Sequence, residues 1–126
     1  MDDFENRAQP RRTIKVSEQI VNLKFRYTPH AWHPATDLFE TPDEYLIKVE
    51  IAGMNEEDIT VCMESNTLLV SGERPLVNRD GAFHRLEIPY GEFNTMVDIP
   101  NDIDHDKIQA TYENGFLIIK IGRAHV

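Results

Sequence analysis

Between residues 45 and 51 apolar and polar positions alternate, so that Tyr45, Ile47, Val49 and Ile51 share one face. A period of two is that of a strand half-buried in a sheet. Gly53 and Asn55 end the run, and residues 59–63 resume it with Ile59, Val61 and Met63 together. A third run, 67–71, follows the turn-prone pair Ser65-Asn66, and a fourth, 93–99, is closed by Pro100. Residues 108–112 and 116–121 form the last pair, joined through Asn114-Gly115. Asn-Gly between two apolar runs predicts a hairpin with a type I′ turn, which needs positive φ at both central residues. Its second arm is apolar on both faces, with Phe116 and Ile118 opposite Leu117, Ile119 and Ile121. A hairpin usually leaves one face to water, so this arm is expected to be covered on both sides. Six or more short strands without a convincing long helix predict an all-β sandwich, two sheets each burying one face.

Two stretches resist this reading. Residues 73–91 form a long connection containing Pro75, Asp80-Gly81 and Pro89. Residues 1–33 carry two incompatible patterns. Val21, Leu23, Phe25 and Tyr27 alternate with polar residues as in an edge strand, whereas Val16, Ile20 and Leu23 fit a helical stripe starting near Ser17. Both forms stay open; the expectation is a mobile N-terminal arm with a sticky face. The domain reading is therefore an arm over 1–33, the sandwich over 34–122 and a short end over 123–126.

Length and charge narrow the function. A chain of 126 residues suits one domain with a real core plus extensions. Net charge is −9, unevenly spread: residues 1–31 hold six basic and four acidic side chains, leaving eleven surplus negative charges on the rest. An acidic body repels phosphate, so nucleic acid is not an expected partner. No apolar run approaches the roughly 20 residues that cross a bilayer, so no membrane partner is expected either. The opening Met-Asp-Asp-Phe-Glu resembles no secretory signal, and a lone cysteine, Cys62, forms no intrachain disulfide. Together these predict a cytoplasmic protein.

Candidate chemistry is sparse. Asp102, Asp104, Asp106 and Glu113 have nearly the spacing of an EF-hand calcium loop, but Lys107 stands where that loop needs glycine, and Pro100 precedes it in place of a helix. The acidic stretch is expected to be a solvated loop. The histidines, His30, His33, His84, His105 and His125, make no zinc spacing with one thiol. Cys62 has no catalytic partner in view. The glycines form no phosphate-binding loop, and the scattered carboxylates suggest no acid–base pair. The chain is expected to be no enzyme and to need no cofactor.

The residues 32–41 (Trp-His-Pro-Ala-Thr-Asp-Leu-Phe-Glu-Thr), Ala52-Gly53-Met54, Leu68-Leu69-Val70-Ser71-Gly72-Glu73, Tyr90-Gly91-Glu92-Phe93, Ile99-Pro100 and Ala110 through Asn114-Gly115-Phe116-Leu117 resemble, in this order and spacing, the α-crystallin domain of the small heat-shock protein family. The resemblance covers about residues 32–122. It implies an immunoglobulin-like sandwich, a homodimer as building block with possible larger oligomers, and ATP-independent holding of unfolding client proteins. It also implies that the long connection carries an extra strand, Ala82 to Leu86. In bacterial and plant members such a loop pairs with the partner subunit's sheet edge; here that exchange loop is Asp80, Gly81, Ala82, Phe83, His84, Arg85 and Leu86. The resemblance further places Ile59, Val61, Met63, Ala110 and Tyr112 around an edge groove that receives apolar segments from neighbours or clients. Val21, Leu23, Phe25 and Tyr27 would supply contacts of the N-terminal arm. Two departures stand out. Ile88 and Thr95 occupy positions where many relatives have arginine, and no Ile-x-Ile tail follows the last strand, since Ile119-Lys120-Ile121 falls within it. The groove is thus expected to be open. The rival reading is a sandwich-fold co-chaperone adaptor that serves an ATP-driven chaperone.

Overall fold

The computed structural model describes residues 11–17, 30–77 and 80–124. The described strands are β1 (Arg12–Ile14), β2 (Val16–Ser17), β3 (Thr36–Glu40), β4 (Glu44–Glu50), β5 (Ile59–Glu64), β6 (Thr67–Arg74), β7 (Gly91–Asp98), β8 (Ile103–Glu113) and β9 (Phe116–Arg123). They form two sheets, one in the order β1-β8-β9-β4-β3 and one in the order β2-β5-β6-β7. This is the all-β sandwich that the alternating runs predict, in the immunoglobulin-like form that the resemblance implies.

Each run buries the face that its period selects. Tyr45, Ile47 and Val49 of β4 are fully buried, and β9 sets Ile121, Ile119 and Leu117 beside them in register. From the other sheet, Val61 and Met63 of β5, Leu68 and Val70 of β6, and Phe93 of β7 close the core. The hairpin forms as Asn-Gly requires: Asn114 and Gly115 have φ of 54° and 81°, with Glu113 paired to Phe116. Its outward face is half-buried, and the Lys48 ammonium lies 4.3 Å from the Phe116 ring centroid. A cation over an aromatic face is a favourable cover for an apolar ring at a surface.

Three features differ from the sequence reading. β8 begins at Ile103, so the acidic stretch expected as a loop is strand, bent by a register shift between Asp104 and Ile108. Carboxylates on an outward, bent edge stay solvated, which lets an acidic sequence lie in a sheet. β3 forms against β4 along the stretch following Trp32. Residues 12–17 are already part of the sandwich, β1 antiparallel to β8 and β2 parallel to β5. Val16 therefore belongs to an extended segment and not to the start of a helical stripe. Val21, Leu23, Phe25 and Tyr27 lie outside the described residues.

Candidate functional site

The sandwich has a gap on one flank, where β5 of one sheet and β8 of the other run side by side. The five residues assigned to an edge groove lie on these two strands. All are buried and belong to the one hydrophobic cluster of the core. Met63 and Ala110 meet in a pocket of about 230 Å³ that Ile14, Val16, His105 and Ile108 also line. Ile59 sits farther along β5, opposite Gly72. Tyr112 points inward: its hydroxyl donates to the Ile51 carbonyl at 2.7 Å and accepts from the Met54 N–H at 3.3 Å. Ile108 was missed, although it stands two residues before Ala110 on the same face.

The strand edges that border the groove are not free. Residues 12–17 lie across it, pairing Arg12, Thr13 and Ile14 with Tyr112, Thr111 and Ala110, then crossing to pair Val16 and Ser17 with Val61 and Cys62, and leave the pocket beside Met63 and Ala110 between themselves and the two strands. Ile14 is 7% exposed and Val16 packs on the core, while Lys15 between them faces water. Apolar residues at alternate positions of an extended segment point the same way, so two anchors enter the gap and the lysine stays out. Without this segment β5 and β8 would each present an unpaired edge. The signal was present in the sequence: Ile14-Lys15-Val16 is an Ile-x-Val triplet, overlooked because it stands near the N-terminus.

The second candidate surface is the connection between β6 and β7. Its base is clamped by Arg74, which donates to the Pro89 carbonyl from Nε at 2.9 Å and to the Ala52 carbonyl at 3.2 Å. The same guanidinium lies 4.5 Å from the Trp32 ring centroid and 5.7 Å from that of Tyr90. Beyond the clamp, Asp80 to Leu86 are exposed and contain no strand. The extra strand implied for Ala82 to Leu86 is absent from the single chain, because a strand needs an edge to pair with and this loop meets none. Phe83, Leu86 and Ile88 are each more than half exposed, as is Phe39 on β3. β3 pairs with β4 on one side and ends its sheet on the other.

Reactive chemistry is muted. Cys62 is buried, and burial, with a smaller push from Glu64, raises its pKa, which keeps the thiol protonated near neutral pH. Asp102, Asp104, Asp106 and Glu113 are spread along and before β8, and among the described residues no group of three or more His, Cys, Asp or Glu is placed to hold a metal ion. Among the described residues no helix is long and apolar enough to cross a membrane.

A two-sheet sandwich with a strand-edge groove and a long loop between β6 and β7 defines the class of α-crystallin domains, and comparison with known proteins agrees. The model of the Hsp20/alpha crystallin family matches residues 37–126, and the chain belongs to that family, which is one of chaperones. The small heat shock protein C4 of Rickettsia felis is 32% identical over 90 residues, covering 70% of this chain and 55% of that protein. The 22.7 kDa class IV heat shock protein of Pisum sativum is 35% identical over 113 residues, covering 86% and 57%. The chain thus spans a little over half the length of these relatives. Among solved structures, HSP18.5 from E. histolytica superposes with a TM-score of 0.69 at 30% identity, over 75% of this chain and 91% of that one. A small heat-shock protein from Xylella fastidiosa gives 0.67 at 32% identity, over 75% and 90%.

Proposed function

We propose that this chain is an ATP-independent holdase, a cytoplasmic homodimer that binds unfolding proteins through exposed apolar surface and keeps them from aggregating. The observation that carries the reading is the concentration of large apolar side chains on the surface: Leu76, Val77, Phe83, Leu86 and Ile88 along the β6–β7 loop, with Leu38 and Phe39 on β3. Large apolar side chains left exposed in number along one segment, as on this loop, mark a place where another chain binds. Family membership supports the same reading. For the dimer, the loop residues Asp80 to Leu86 lack an edge and β3 ends its sheet, so exchange of loops between two copies would satisfy both. The net charge of −9 favours neither nucleic acid nor anionic lipid as partner.

The test is suppression of light scattering from a heated client at a near-stoichiometric ratio without nucleotide. Suppression is expected. Protection that appears only when an ATP-driven chaperone and ATP are added would establish the co-chaperone adaptor instead, and no protection in either case would refute both.

A further inference from the structure

Two of the six glycines follow an aspartate or an asparagine, in Asp80-Gly81 and Asn114-Gly115. Such pairs share one backbone reaction. The glycine nitrogen attacks the side-chain carbonyl carbon of the residue before it, and a five-membered imide forms as aspartate loses water or asparagine loses ammonia. Glycine favours the attack because it has no side chain to hinder it and accepts the backbone rotation that the ring requires. In an unfolded chain the asparagine pair reacts faster, since its side chain is uncharged and needs no proton before the attack. The fold reverses the order of access. Asn114 and Gly115 sit in the closing turn with φ of 54° and 81°, Glu113 pairs with Phe116 across it, and the Gly115 carbonyl accepts from the Ile51 N–H at 2.8 Å. Gly115 also lies against Ala52, where an added Cβ would stand 3.1 Å from that side chain. Swinging the Gly115 nitrogen toward the Asn114 side chain turns this peptide and breaks those contacts. At Asp80-Gly81 nothing comparable resists. Both residues are exposed and outside any strand, and among the described residues neither makes a hydrogen bond or an ion pair. Gly81 has φ of 150°, and a Cβ built there meets nothing within 4 Å.

We propose that Asp80-Gly81 is a site of spontaneous backbone isomerisation on the β6–β7 loop, and that the closing turn holds Asn114-Gly115 back from the corresponding change. The Gly81 nitrogen bonds to the Asp80 Cγ, and its hydrogen leaves with the carboxyl hydroxyl as one water. A second water then opens the imide. Where it cleaves the bond from Gly81 to the former backbone carbonyl, the chain runs on through Cβ and Cγ, and Asp80 becomes isoaspartate. One water leaves and one returns, with no change of oxidation state. The product has one more main-chain atom and a carboxylate on Cα. The added rotatable bond gives the loop more freedom to lose when it is ordered, so pairing of residues 82–86 with a second copy costs more. The mark thus falls on the proposed exchange loop and weakens its pairing as the protein ages. This effect on assembly rests on the loop-exchange reading; the isomerisation does not.

The test follows both pairs in the full chain, kept at neutral pH in buffer and, in parallel, in guanidinium chloride that unfolds it. Samples taken over weeks are digested and the peptides fragmented. Isoaspartate is told from aspartate by electron-transfer fragments, and conversion at Asn114 by its gain in mass. In native protein Asp80 should isomerise at a rate within about threefold of its rate in denaturant, since an exposed, unpaired segment opens at almost no cost. Asn114 should convert at least about tenfold more slowly in native protein than in denaturant, because its turn must open first. Greater slowing at Asp80 or lesser slowing at Asn114 overturns the proposal. Isomerisation at Asp80 that continues unchanged in Gly81→Ala overturns it as well, since a side chain at that nitrogen hinders the attack. For the effect on assembly, fresh and aged samples are compared by light scattering at equal concentration, and the aged sample should hold the smaller dimer fraction. An unchanged dimer fraction with isoaspartate present refutes that effect while the modification stands. A fresh sample without dimer refutes the loop-exchange reading itself.

Discussion

Gly72 shows how little room the interior leaves. A methyl group built there would collide with the Asp58 carbonyl oxygen and lie 2.7 Å from the Phe93 ring. Neither neighbour yields cheaply, one being backbone and the other a core aromatic, so Gly72→Ala should cost about 1–3 kcal/mol, read as a lower urea midpoint with an unchanged slope. Tyr112 is held by polarity as well as packing. Removing its hydroxyl in Tyr112→Phe leaves the Met54 N–H and Ile51 carbonyl with a partner lost in a dry site. The expected loss is about 1–2 kcal/mol, seen in the same titration. Cys62 carries a pH signature. Its folded pKa lies above the ordinary value, through burial first and Glu64 second. The unfolded chain therefore releases the thiol proton first as pH rises. The stability tied to this group is complete below the usual thiol pKa of about 8.5 and is lost as pH climbs from there toward the raised folded value. Native protein should lose stability more steeply than Cys62→Ala over that alkaline window; parallel curves would contradict the assignment.

At the scale of elements, the closing hairpin is fixed by two backbone conformations. Gly115 has φ of 81°, and a Cβ there would stand 3.1 Å from the Ala52 side chain. Gly115→Ala thus combines left-handed strain with crowding and should cost about 1–2 kcal/mol, measurable by thermal unfolding. β1 and β2 contribute differently. They add no layer to the core but cover the flanks of β5 and β8, with Ile14 at the seam. Removing residues 1–17 should leave the sandwich cooperative in its melting while raising the fluorescence of an apolar-surface dye, because two strand edges and the side chains of Val61, Met63 and Ala110 lose their cover. Unchanged dye binding would mean that the groove is shallow without its segment.

For the whole molecule the proposed homodimer makes a prediction of its own. Beyond the Arg74 clamp the β6–β7 loop bears Phe83, Leu86 and Ile88 exposed. If the proposed dimer forms by loop exchange, deleting residues 78–85 should leave a monomer by light scattering, with the strands that form the two sheets untouched. A dimer mass that survives the deletion would rule out loop exchange as the basis of assembly. The deletion is informative because the loop contributes nothing to the described core.

Alternation along 45–51, 59–63 and 116–121 determined the strands and their buried faces, because the side-chain period of a strand leaves one choice of face once a core exists. Asn114-Gly115 determined the hairpin, since its turn type demands positive φ that few residue pairs accept. Those local rules were enough to set Ile59, Val61 and Met63 on one face of their strand and, with the motifs around Trp32 and Gly91, to identify the family; Ala110 was placed beside them only through that resemblance. They could not say what lies beside a strand. Whether β5 and β8 face water or another segment depends on residues about fifty to a hundred positions away along the chain, and no local period encodes that. Ile14-Lys15-Val16 reads as equally good strand, helix or arm until the gap between two sheets presents it with backbone partners on both sides. The acidic start of β8 was decided in the same way: Asp104 and Asp106 disfavour a strand by composition, yet Ile103 is buried and Arg123 of β9 pairs with it in register, so the sheet overrides the local preference.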